Sequence, residues 1–426
     1  MAIPEPTHMR AYYYSLLTEL CRASPATVAR ALGRCIRSLY TTLGESESVL
    51  DPERVRVLTD WFATHLSNFS FAWGWQEWAD DMADLSAAHP KRVFVERTLE
   101  LEVRLSYYER IRGTVDDSLL EHGVMPADAP GPRYMFTDDT VPNAAFAKRI
   151  EQAIRTREEP DTVADDLRSF RSQLIDEDGV DGSEADRLMR EVVTQAMLYI
   201  GSRSLSHFLN VVERYRSLFD VILSSSGDDQ DTAAAQVDLL RVIASFWRDN
   251  AQFRIMVTEK LMQYGLVKPL AVARAVFDDP ETRWSDINAW ETICLALKLA
   301  LARARGLHNL VTRLEREREQ PAADDVAKDE AAAEEALQTA KGRQVEAEQM
   351  AQSVLVEIVQ RFDEAFGSLE SWEAWWATGW FAEFSRANAD VLNSAPMVAA
   401  ITALHIPAES PVALMLQASA AWKSTA

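Results

Sequence analysis

The sequence predicts an all-α protein, an α-solenoid built from consecutive helix pairs. Three observations carry that prediction. Nearly every segment shows apolar residues at helical spacing. Helix-start signals in which a capping residue is followed by proline recur along the chain. Glycine (15) and proline (16) are scarce among 426 residues, so there is little turn chemistry for hairpin-rich sheets.

Taken in order, Thr7 is placed to cap a helix running to about Arg22, with Tyr12, Leu16, Leu17 and Leu20 on its inward face. Ser24-Pro25 starts a second helix carrying Val28, Leu32, Ile36 and Leu39 inward. Asp51-Pro52 starts a third, with Val55, Leu58, Phe62 and Leu66 as its stripe. His89-Pro90 starts a fourth, with Phe94, Leu99, Val103 and Ile111 as core positions. Helices of this length joined by short turns, each with one buried stripe, describe an α-solenoid. No strict period is visible, so the repeats are of the divergent HEAT or armadillo kind.

Asp116 to Pro142 breaks the pattern, with Gly123, Pro126, Pro130, Gly131 and Pro132 among its residues. It reads as a linker (116–142) between an incomplete repeat domain at 1–115 and a second repeat domain at 143–426. Two further acidic loops, Asp176 to Gly182 and Gly227 to Asp231, separate helices. Neither supplies the alternating ligands and terminal glutamate of a calcium loop, so they read as solvated turns.

From Arg303 to Phe366 the character changes. A charged helix end, Arg313 to Glu319, is broken at Pro321 and Asp324-Asp325. The return arm carries Leu337, Ala340, Ala347, Ala351, Val354 and Ile358 at heptad-like spacing, with a polar slot at Gln344. This predicts a projecting helical hairpin at about 310–355. A single unpaired charged helix is the alternative.

Composition bounds the function. Forty-seven per cent of residues are hydrophobic, enough for a packed core. No apolar run approaches a membrane span, and no signal peptide is visible at the start of the chain. Cys21, Cys35 and Cys294 lie in helical patterns that suit neither zinc nor a disulfide framework, which points to a reducing compartment. The net charge of −22 opposes direct binding of nucleic acid, and basic runs are no longer than the pairs Lys91-Arg92 and Lys148-Arg149. Those pairs make no nuclear import signal either. There is no phosphate loop, no nucleophile elbow and no zinc-protease helix. No two of the seven histidines stand three or four residues apart. The sequence gives no reason to expect an enzyme, a metal or a cofactor; a helical phosphatase or terpenoid synthase would need a metal cluster that the sequence lacks.

The stretch His65 to Trp78 places Trp73, Trp75 and Trp78 within six residues. In a helix Trp75 and Trp78 share a face, and Trp73 falls in the turn before it. Either two of the indoles anchor the core and one faces a partner, or all three are buried. Tyr107 presents a similar choice. Its spacing from Leu99, Val103 and Ile111 puts it in the core, whereas Arg104 and Arg110, three residues either side, put it at a surface edge. Trp73, Trp75, Trp78, Arg104, Tyr107 and Arg110 are therefore the candidate partner-binding residues.

The Trp-rich stretch resembles the large subunit of the nuclear cap-binding complex. So do Pro6-Thr7-His8 and Tyr14 to Cys21 before it, Arg104 to Tyr107 with Arg110-Ile111 after it, Ser202 to Phe208, and Leu240 to Val242 with Phe246 to Arg248. The charged hairpin falls where that family carries a long coiled coil. Beyond Phe366 only helical character matches. The resemblance implies helical-repeat domains related to the middle domain of the translation-initiation scaffold, without the family's first domain and its basic import signal. It implies a nuclear scaffold that shuttles to the cytoplasm and holds a small RNA-recognition-motif subunit. That subunit would grip capped RNA, while the scaffold recruits factors for splicing, 3′ processing, export and quality control, nonsense-mediated decay included. The competing expectation is a generic initiation-type scaffold that binds an RNA helicase.

Overall fold

The computed structural model describes residues 7–45, 50–223, 229–319, 330–369 and 371–425, and all regular structure among them is helical. The first group of helices is α1 (Arg10–Ala23), α2 (Arg30–Thr42), α3 (Pro52–Ser67), α4 (Ala79–Asp84), α5 (Pro90–Leu105), α6 (Tyr108–Arg112) and α7 (Asp117–Leu120). The second is α8 (Ala144–Thr156), α9 (Pro160–Asp176), α10 (Gly182–Gly201), α11 (Leu205–Arg214), α12 (Arg216–Leu223), α13 (Asp229–Phe246), α14 (Ala251–Gln263) and α15 (Pro269–Phe277). The long hairpin arms α16 (Ile287–Glu319) and α17 (Glu330–Phe366) follow. The chain closes with α18 (Ser371–Ala387), α19 (Ala389–Leu392), α20 (Ala395–Thr402) and α21 (Pro411–Thr425).

The cap-and-proline signals work as chemistry predicts at two places. Asp51 accepts a hydrogen bond from the Arg54 amide at 2.9 Å ahead of Pro52. The His89 ring accepts from the Lys91 amide at 3.2 Å ahead of Pro90. Asp181, in the second acidic loop, caps α10 through the Ser183 amide. Thr7 does not cap α1: its hydroxyl meets the His8 ring and the Tyr13 hydroxyl instead. Ser24-Pro25 opens a π turn, Pro25–Ala29, with no side-chain cap, before α2 begins. The α3 stripe Val55, Leu58, Phe62 and Leu66 is buried as expected. On α1 the expected face holds only at Leu17. Tyr12, Leu16 and Leu20 are exposed, while Thr18 and Cys21 are buried and Tyr14 and Leu17 pack on the core. Of the three free cysteines, Cys35 and Cys294 are exposed.

Two large cores hold the chain. One gathers residues of α2–α7 together with α16–α21; the other gathers α8–α15 and the residues leading into them. The packing thus groups the helices differently from the expected division by chain order, because α16–α18 return to α3 and α5. Trp376 on α18 donates its indole N–H to the Ala88 carbonyl at 2.8 Å, and Trp380 donates to that of Trp284 at 2.9 Å. Gly379 lets α18 touch the start of α3: a Cβ there would lie 2.2 Å from the Pro52 ring. The segment 116–142 is anchored at both ends. Leu119, Val124 and Met125 enter the first core, and Tyr134 and Phe136 enter the second. Between them the Arg133 amide donates to the Phe246 carbonyl at 2.8 Å.

The hairpin is present, and toward its base Leu355, Val359 and Phe362 are buried in the first core beside the seam. Leu337, Ala340, Ala347, Ala351, Val354 and Ile358 are all buried, and half-buried Gln344 meets His308 across it. Toward the tip, Val311, Leu337 and Ala340 form a small core of their own, with Leu310 and Leu314 against it. The break at Pro321 and Asp324-Asp325, and Gly227-Asp228 of the third acidic loop, lie outside the described residues.

Candidate partner-binding groove

A groove of about 960 Å³ opens between the two cores. One wall is α5 and the turn after it, from Arg92 to Tyr108. The other combines the turn between α13 and α14 (Arg248 to Gln252) with the start of α16 (Arg283 to Asn288). Met125, Pro126 and Pro130 of the connecting segment line one end.

A charged network locks the walls together. Arg97, only 4% exposed, reaches Glu100 at 2.9 Å, the side-chain oxygen Oδ1 of Asn288 at 2.5 Å and Glu291 at 2.7 Å. Arg104 bonds the same Asn288 oxygen at 2.7 Å and pairs with Glu100. The Asn288 amide donates to both Glu100 oxygens, at 3.1 and 3.2 Å. Burial alone would push the Glu100 carboxyl up. Arg97 and Arg104, helped by Asn288, outweigh it and hold the group below its ordinary range. Breaking such a network from one side strands the remaining charge. The groove therefore has a fixed shape rather than a soft one.

Tyr107 stands on the rim, 57% exposed. The core position that spacing gave it assumed one continuous helix from Leu99 to Ile111. The helix ends at Leu105, Ser106 takes a non-helical backbone (φ −139°, ψ −112°), and Tyr107 is extended ahead of α6. That break turns Tyr107 outward while Leu99 and Ile111 stay fully buried. Tyr108 takes the anchoring part instead, its hydroxyl donating toward the Pro126 and Ala127 carbonyls at 2.8 and 2.7 Å.

Of the candidate residues, the groove brings together only Arg104 and Tyr107. Trp75 and Trp78 lie in a 3-10 turn (Trp75–Trp78), buried and edge-to-face at 5.7 Å, with Trp78 stacked on Tyr40 at 4.1 Å. Trp73 is half-buried against Phe62, and Arg37 covers its other face at 4.6 Å while pairing with Glu77. Arg110 is exposed and lies 5.0 Å over the Phe71 ring, outside the groove. The Arg97–Glu100–Asn288 network was not anticipated. On α5 it looks like ordinary helix-surface charge pairing, and Asn288 lies 191 residues from Arg97. Among the described residues no cluster of side chains suits a metal ion, and no helix is long and apolar enough to cross a membrane.

Helix packed on helix around two cores, with a groove between them, defines a helical-repeat protein. A family model described as MIF4G-like matches residues 134–393, more than half of the chain, and a second MIF4G-like model matches residues 1–117. The chain belongs to the MIF4G-like family. It is 29% identical to nuclear cap-binding protein subunit 1 of Arabidopsis thaliana over 74% of its length. It is 28% identical to the proteins of the same name from Schizosaccharomyces pombe, over 70%, and Oryza sativa, over 65%. These alignments cover 35%, 35% and 30% of the relatives, so the chain spans about a third of their length. The resemblance carried by the Trp-rich stretch is borne out.

Proposed function

We propose that this chain is the scaffold part of a nuclear cap-binding assembly. It holds a small RNA-recognition-motif subunit, meets the RNA cap through that subunit, and offers its remaining surface to factors of mRNA processing and export. The observation that supports this best is the groove rim at Tyr107. An exposed tyrosine beside walls pinned by partly buried ion pairs has the form of an interface anchor, a large ring that can be ordered at low entropic cost. The name shared by the relatives supplies the kind of partner. Acidic balance fits a subunit that leaves the cap and its phosphates to a partner. No catalytic step is assigned to the chain, and its place of work is the nucleus.

Tyr107→Ala tests the reading. Among the described residues no hydrogen bond or aromatic contact ties the ring to the body, so the melting temperature should hold while affinity for the small subunit falls about tenfold or more. A variant that binds the small subunit normally rejects Tyr107 as an anchor. Capture of an RNA helicase in place of an RNA-recognition-motif protein rejects the assembly.

A further inference from the structure

The outer face of α16 carries a charge pattern that runs of sequence do not display. From Thr292 to Leu314 the helix has no acidic residue in a chain of net charge −22. At 100° per residue, Lys298, Arg305 and Arg316 fall on one line, opposite the buried positions Ile293, Ala300 and Val311. All three are exposed, and none forms an ion pair with another described residue. Three exposed arginines on the other core are paired by contrast: Arg149 with Asp166, Arg168 with Asp165, Arg187 with Glu184. Even the carboxylates beside Arg316 are taken. Glu315 holds Lys341 at 2.8 Å, and Glu317 lies 3.8 Å from Arg313.

The positions between these charges on the same face are Ala302, Asn309 and Thr312. The basic heads therefore stand clear of their neighbours, and no aromatic or large apolar side chain offers an anchor for a protein or a platform for a base. At 1.5 Å per residue the three cations are spaced about 10 and about 16 Å along a straight arm. A polyanion with regularly spaced charges and no required side-chain contacts suits that layout; a folded protein, which needs an apolar centre, does not.

We propose that the outer face of α16 tracks the phosphate backbone of single-stranded RNA, without reading its bases. This deepens the cap-binding reading, on which it rests for RNA as the polyanion. RNA leaving the cap-holding partner would meet the stripe on the hairpin. Three contacts give weak, salt-sensitive binding, compatible with a chain that does not recognise the cap by itself.

The test uses the full chain without the small subunit and an uncapped single-stranded RNA of about twenty nucleotides, followed by fluorescence anisotropy across a salt series. Binding at low salt should weaken with a log–log slope of roughly −2, from about −0.7 for each of three phosphates. Replacing Lys298, Arg305 and Arg316 together by Ala should reduce low-salt affinity about tenfold or more and flatten the slope. Replacing Arg149, Arg168 and Arg187 by Ala, the same loss of charge on the other core, should change little. Adding a cap should leave all values unchanged. Absence of binding at low salt, an equal loss in both variants, or a preference for an acidic peptide over RNA would overturn the proposal. Because the small subunit is omitted, failure here leaves the assembly reading standing, and failure of that assembly leaves this result readable.

Discussion

Glu102 on α5 is sealed from solvent, and neither carboxylate oxygen meets a hydrogen-bond donor among the described residues. Burial without a partner favours the neutral acid and pushes its pKa from 4.5 up to about 8. The folded state therefore holds a proton that the unfolded chain has released. Stability from this residue is full below about pH 4.5, falls as pH rises through the window to 8, and is level above it. Glu102→Gln, neutral at every pH, should raise the melting temperature relative to the parent at pH 8.5 and leave it nearly unchanged at pH 4.5. An equal shift at both values would mean that shape rather than charge decides. The same scale explains the failure of spacing at Tyr107. A side chain's direction depends on whether its helix continues, and the break at Ser106 is a backbone event that no apolar periodicity announces.

Among the elements, α18 makes a close contact on the first core, where Gly379 meets Pro52. A methyl group has no room at 2.2 Å from a proline ring that the Asp51 cap holds in place. Gly379→Ala should gain helix propensity yet lose about 1–3 kcal/mol through overpacking, read as a lower denaturation midpoint with an unchanged slope. A stabilised variant would show that α18 can shift away at no cost. Much at this scale was legible in the sequence. The cap-proline pairs at Asp51 and His89 and the small-residue seam from Leu337 to Ile358 are local patterns, and local chemistry decides them. The face of α1 was not legible. The helix offers two apolar stripes, Tyr12-Leu16-Leu20 and Tyr14-Leu17-Cys21, and only packing against the π turn and α3 chooses between them. The α16 stripe escaped for a related reason: its cations are seven and eleven residues apart, so a search for basic runs passes over a charge pattern that only a helix assembles.

At the scale of the whole molecule, the two cores part at the segment 116–142 and rejoin through α15 and α16, whose contact places Ala296 in the second core and Ile293, Leu297 and Ala300 in the first. The groove is a product of that closure. Its walls come from residues nearly two hundred positions apart, which is why the sequence could supply Arg104 and Tyr107 but not Arg97's partners. On the proposed reading the cap is left to the partner, so the chain itself should be indifferent to it. The most direct measurement is anisotropy at physiological salt with matched capped and uncapped oligonucleotides, on the chain alone and with the small RNA-recognition-motif subunit. The account predicts no discrimination by the chain alone and tight, cap-dependent binding by the pair. Cap discrimination by the isolated chain, or its failure to join the small subunit, would contradict it.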